Sequence, residues 1–155
     1  MEEIQLVIDK KLIIEKSSNE SKIQNMALDF LTPIVEVMEG GKSLPFTFDT
    51  GANTTALYAD YFKLHKNRIE RTAEKDSIKI GGAGGVKNLH VFQIPFSGKI
   101  GNSSFSLKNI SVYEENPRET DGIYGNLGQD VLTQFDTLVL DFKEMQFLLK
   151  TGKSG

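Results

Sequence analysis

A single carboxylate stands out by its setting. Phe46-Thr47-Phe48 alternates as a half-buried strand does, with Phe46 and Phe48 on one face, and it runs directly into Asp49-Thr50-Gly51-Ala52. Gly51 permits backbone geometry that a side chain would forbid. The pattern therefore sets one acid at the end of a rigid strand, inside a tight turn of small residues. Little else in the chain could do chemistry. There is no cysteine, which excludes a thiol nucleophile and a disulfide framework, and His65 and His90 are the only two histidines. A histidine-rich metal site or a Ser-His triad has too few imidazoles to draw on. Taken alone, Asp-Thr-Gly also fits a plain strand-ending turn that caps a helix.

Two further stretches are unusual. Ile78-Lys79-Ile80 and Leu89-His90-Val91-Phe92-Gln93-Ile94 flank Gly81-Gly82-Ala83-Gly84-Gly85, in which four of five residues are glycine. This predicts a β-hairpin with a freely turning tip. A phosphate cradle is the other use of such a loop, but no Lys-Ser/Thr pair and no helix follow it. Later, Leu127-Gly128-Gln129-Asp130 precedes Val131-Leu132-Thr133-Gln134-Phe135, which reads as a short helix. Asp130 then suits capping or loop bracing better than direct chemistry. His65 reads as a polar residue near a helix C-terminus, favoured there when protonated.

The rest of the chain must position these residues. With 155 residues and a formal net charge of -3, the composition suits one domain with its own core and gives no sign of a nucleic-acid or acidic-membrane partner. No apolar span is long enough for a membrane helix. Met1-Glu2-Glu3 lacks a signal-peptide pattern, and the compartment, cytoplasmic or reached by export, stays open. Ile4 to Ile8 and Leu12 to Glu15 predict two short strands, and polar Ser17 to Lys22 a loop. The expected boundaries are an arm over 1–22, one domain over 23–150 and a tail over 151–155. Met26 to Glu39 is strand-like, with Pro33 marking an edge or a break. Glu39-Gly40-Gly41-Lys42 turns the chain back into the strand that delivers Asp49. Thr54 or Thr55 is expected to cap a helix whose apolar face is Ala56, Leu57, Ala59, Tyr61, Phe62 and Leu64, ending near His65. Lys66 to Arg71 reads as solvated surface. A further hairpin spans Phe96 to Val112, a polar loop Glu114 to Asp121, and a terminal hairpin Leu138 to Leu149 with its turn at Lys143-Glu144.

Asp49-Thr50-Gly51-Ala52 resembles the active-site loop of aspartic proteases, most closely the retroviral type (retropepsins). Ile80 to Gly85 looks like the retropepsin flap, and Leu127-Gly128-Gln129-Asp130 resembles the family's second motif. The three occur in the family's order and span Phe46 to Phe135. Several features depart from the viral pattern. The arm and the segment between flap and second motif look longer, and the whole chain looks more like cellular and bacterial retropepsin-like proteins. Asn53 and Gln129 stand where an acidic residue and an arginine often pair, so a neutral amide contact is expected there. Asn126 stands where an apolar residue is usual.

The resemblance implies a fold class and a mechanism. The fold would be all-β and mostly antiparallel, a closed or partly open retropepsin-like barrel with one or two short helices and a flap hairpin. The function would be that of an aspartic endopeptidase acting on peptide or protein substrates. Asp49 would be the catalytic acid, with Thr50, Gly51 and Ala52 supporting its loop. Gly81, Gly82, Ala83, Gly84 and Gly85 would clamp substrate, while Leu127, Gly128 and Asp130 would support the loop from behind. One chain supplies one such acid, so the resemblance implies a homodimer, with the terminal hairpins as its seam. It implies neither metal nor cofactor. Ala52, Leu57 and Ala83 would line apolar substrate pockets. The competing expectation is a catalytically silent peptide-binding or dimerisation module on the same fold.

Overall fold

Alternation and turn chemistry account for most of the elements. The computed structural model describes residues 4–7, 11–13, 23–82, 85–116, 120 and 122–152. Two short strands come first, β1 (Ile4–Val7) and β2 (Lys11–Ile13). β3 (Met26–Asp29) pairs antiparallel with β4 (Thr32–Glu39), and β4 with β5 (Lys42–Phe48). Gly40 and Gly41 form the two-residue turn between β4 and β5 at φ 55° and 82°. Tight hairpins favour positive φ at both turn positions, and glycine adopts it without strain. Along β4, buried Val35 and Val37 alternate with exposed Glu36, the period of a strand with one face on a core.

The barrel closes through a short central strand. β5 runs parallel to β10 (Gly125–Leu127), which pairs antiparallel with β6 (Ala56–Leu57). β6 runs parallel to β9 (Ser103–Tyr113), and β9 pairs antiparallel with β8 (Gly85–Ile100). β8 returns to β4 at Met38 and Lys99, closing a ring of β4, β5, β10, β6, β9 and β8. Inside, Phe96 meets Phe46, Tyr61 and Phe105 at centroid distances of 5.8, 5.7 and 5.9 Å. A second sheet has the order β12-β11-β1-β2, built on the terminal hairpin of β11 (Thr137–Asp141) and β12 (Gln146–Lys150). β1 lies along β11, so one edge of that hairpin is taken by the chain's own N-terminal strand. This all-β, mostly antiparallel closed barrel, with two helices among the described residues, is consistent with the retropepsin-like architecture expected from the sequence.

Several local expectations are corrected. Ala56 and Leu57 are strand rather than helix, because β9 and β10 supply backbone partners on both sides. Pairing of that kind overrides helix propensity. The helix α1 starts at Ala59 and runs to Thr72. Neither Thr54 nor Thr55 caps it. The Ala59 N–H is met instead by the Asn116 side chain at 2.7 Å. Nor does the helix end at His65, which sits at a kink (φ −121°, ψ 16°). Lys66 to Arg71 continues the helix, anchored by fully buried Ile69. β8 is likewise one long strand where the sequence suggests two. A register shift between Ile94 and Phe96 absorbs Pro95, which has no N–H to donate. Among the described residues no helix is long and apolar enough to cross a membrane.

Candidate active site

Asp49 leaves the end of β5 with its N–H on the Leu127 carbonyl at 3.2 Å. The strand end is thus tied to the neighbouring strand at the motif that follows it. The turn closes on itself. Ala52 N–H donates to the Asp49 carbonyl at 3.2 Å, and Gly51 N–H donates to the Asp49 carboxylate at 2.9 Å. A Cβ on Gly51 would lie 3.2 Å from that carboxylate oxygen, so glycine leaves the acid its room. Asp49, Thr50 and Gly51 are all exposed, and Ala52 is half-buried. Among the described residues Gly51 N–H is the only hydrogen-bond partner of the Asp49 side chain, and no cation pairs with it.

The second motif packs directly behind this turn. Gly128 precedes the short helix α2 (Gln129–Leu132). A Cβ on Gly128 would fall 2.5 Å from the Thr54 carbonyl carbon and 2.8 Å from the Thr55 nitrogen. Only glycine lets the two backbones approach so closely. The buried Thr55 hydroxyl accepts from Gly128 N–H at 3.0 Å and donates to Asp130 at 2.6 Å. Thr55 N–H also donates to both Asp130 oxygens at 2.9 Å. Gln129 binds the other end of the turn. Its N–H donates to the Ala52 carbonyl at 2.9 Å and its side-chain amide to the Thr50 carbonyl at 2.7 Å.

The structure therefore brings Asp49, Thr50, Gly51 and Ala52 against Leu127, Gly128 and Asp130. It does not join Asn53 to Gln129, since among the described residues the Gln129 amide is spent on Thr50. Leu57, expected beside substrate, is fully buried in the barrel core and lines no open surface. Thr55 is the residue whose part the sequence leaves unread. It stands six positions after Asp49 in a polar run, where a cap is the simpler use.

The glycine hairpin pairs β7 (Lys75–Gly82) with β8 down to Gly82 opposite Gly85. Ala83 and Gly84 lie outside the described residues. β9 supports β8 only from Val91 onward. Beyond that point, among the described residues, β7 and β8 form a two-stranded arm with no third strand, a unit of low intrinsic stability. Among the described residues no three His, Cys, Asp or Glu side chains gather as a metal site would require.

No protein-family profile matches the chain. No curated protein matches it either. Among solved structures, one of EIAV protease complexed with the inhibitor HBY-793 is similar at 24% identity. That match covers 70% of this chain and 92% of the other, with a TM-score of 0.45.

Proposed function

We propose that the chain is an aspartic endopeptidase that works as a homodimer, with Asp49 of each copy forming the reaction centre. The observation that carries this reading is the Asp49 turn. It holds an exposed carboxylate without a countercharge among the described residues, on a loop fixed at Thr50, Ala52 and Thr55 by residues Gly128 to Asp130. A surface turn without a task needs no such bracing.

Two carboxylates brought together cannot both ionise, and they hold one proton between them. The ionised member takes a proton from water, and that water attacks the scissile carbonyl. The protonated member donates toward the carbonyl oxygen. Thr50 braces the paired loops by hydroxyl hydrogen bonds, and Gly51 lets the substrate backbone approach. The glycine hairpin over Gly81 to Gly85 closes on an extended peptide and offers it backbone N–H groups, a strand-addition mode of binding. The arm and the long segment between flap and second motif favour a place near the cellular and bacterial members of the family.

The test is cleavage of mixed unstructured peptides in mildly acidic buffer, with Asp49→Asn beside the wild type. Asp49→Asn should fold normally and lose about a thousand-fold or more in kcat/KM. Cleavage undiminished in that variant overturns the reading. Saturable peptide binding without cleavage by the wild type would instead mark a silent peptide-binding module.

A further inference from the structure

The β3–β4 hairpin turns on Phe30 and Leu31, and these are 94% and 93% exposed. Among the described residues five large apolar side chains are exposed, and three of them, Leu28, Phe30 and Leu31, lie in this one hairpin. Scattered exposed apolar residues need no explanation, but a cluster does. The backbone adds a second sign. Phe30 holds φ at 51°, a left-handed conformation that is an outlier for a bulky side chain. The fold thus retains an aromatic where asparagine or glycine would sit without strain, and no ring contact within the described residues repays it.

Register places this tip beside the reaction turn. Ile34 pairs with Thr47, two residues short of Asp49, so the β3–β4 tip and the Asp49 turn leave the same end of the β4–β5 pair. We infer that the Phe30–Leu31 tip is a contact surface for a second copy of this chain, and that it seats the twin Asp49 turn. This rests on the dimeric reading above and adds where the copies touch. The terminal hairpin is a weaker seam, because β1 already occupies one of its edges.

Charge selects a second copy over a lipid surface. Between Asn25 and Val35 the only charged residue is Asp29, whereas a tip that enters a bilayer is usually flanked by lysine or arginine. A two-fold contact suits the patch for another reason. It puts apolar tips near the axis, so their burial offsets the repulsion of two carboxylates meeting there.

The experiment compares wild type, Asp49→Asn and the double variant Phe30→Asn/Leu31→Ser by sedimentation velocity over a range of concentrations, with peptide cleavage measured in parallel. Both substitutions are on exposed positions, and Asn accepts positive φ, so the melting temperature should hold or rise. Wild type and Asp49→Asn should dimerise alike. The double variant should dimerise at least about tenfold more weakly, and raising its concentration should restore its cleavage. An unchanged dissociation constant in the double variant overturns the inference, as does a wild type that stays monomeric at every concentration. A monomeric wild type that pellets with phosphatidylcholine vesicles overturns it in favour of lipid. Cleavage retained by Asp49→Asn would refute the catalytic reading while leaving the dimer comparison legible.

Discussion

The Thr55 hydroxyl has two duties, accepting from Gly128 and donating to Asp130. A buried group left without its partner costs more than the bond itself was worth. Thr55→Val keeps the shape and removes both bonds, stranding the Gly128 N–H. It should lower unfolding free energy by about 1–3 kcal/mol and loosen the Asp49 turn, so that kcat falls more than stability alone explains. Thr55→Ser restores the oxygen and should recover most of both. Denaturant melts and peptide kinetics on the pair would check this. If Val and Ser behave alike, the hydroxyl is not what holds the loop. This residue also marks the limit of what the sequence reveals about the site. Asp49, Gly128 and Asp130 each carry a local signal, an acid after a strand or a glycine before a helix. Thr55 carries only the misleading sign of a helix cap, because its partners lie 73 and 75 positions away.

At the scale of the element, α1 is fastened to the β4–β5 hairpin by a polar cluster at its kink. The Tyr61 hydroxyl donates to Glu39 at 2.7 Å and accepts from Arg68 at 3.0 Å, while His65 Nε2 lies 3.2 Å from the second Glu39 oxygen. Burial first, and the Glu39 carboxylate second, push the Tyr61 phenol above its ordinary value. The folded chain therefore holds this proton more tightly than the unfolded chain. The resulting stability is complete below the unfolded phenol's pKa of about 10 and is lost as pH rises beyond it. Thermal midpoints should fall more steeply above about pH 10 in the wild type than in Tyr61→Phe, and equal slopes would refute the assignment. The elements themselves were unequally legible. The hairpins at Gly40-Gly41 and Lys143-Glu144 announce themselves by turn chemistry. The second half of α1 does not, since Ile69 alone faces the core across a run of charged residues. β6 does not either, since two residues with helical leanings become strand through partners distant in sequence.

For the whole molecule, the proposed reaction centre is shared, and mixing experiments read that directly. If all chains dimerise and exchange freely, adding an equal amount of Asp49→Asn to the wild type should reduce the rate to about half, because half of the wild-type chains then sit in hybrids with one acid. A protein that works as a single copy would show no change. The barrel itself was expected only through the resemblance, while the strands and hairpins were legible because each depends on short-range patterning. The closure at Met38 and Lys99 and the pairing of β1 with β11 were not, since both join segments far apart in the chain.

The glycine of the second motif stands one residue beyond β10, the three-residue strand that bridges β5 and β6 in the barrel wall. Whatever disturbs the backing of the loop therefore threatens the architecture as well, whereas Asp49 itself, outward-facing and lightly tethered, can be exchanged at little structural cost. In descendants that abandon the proposed reaction, the glycines and Thr55 should persist as scaffolding long after the acid has gone. Working copies and retired ones would then be told apart by that one side chain, not by the landmarks around it.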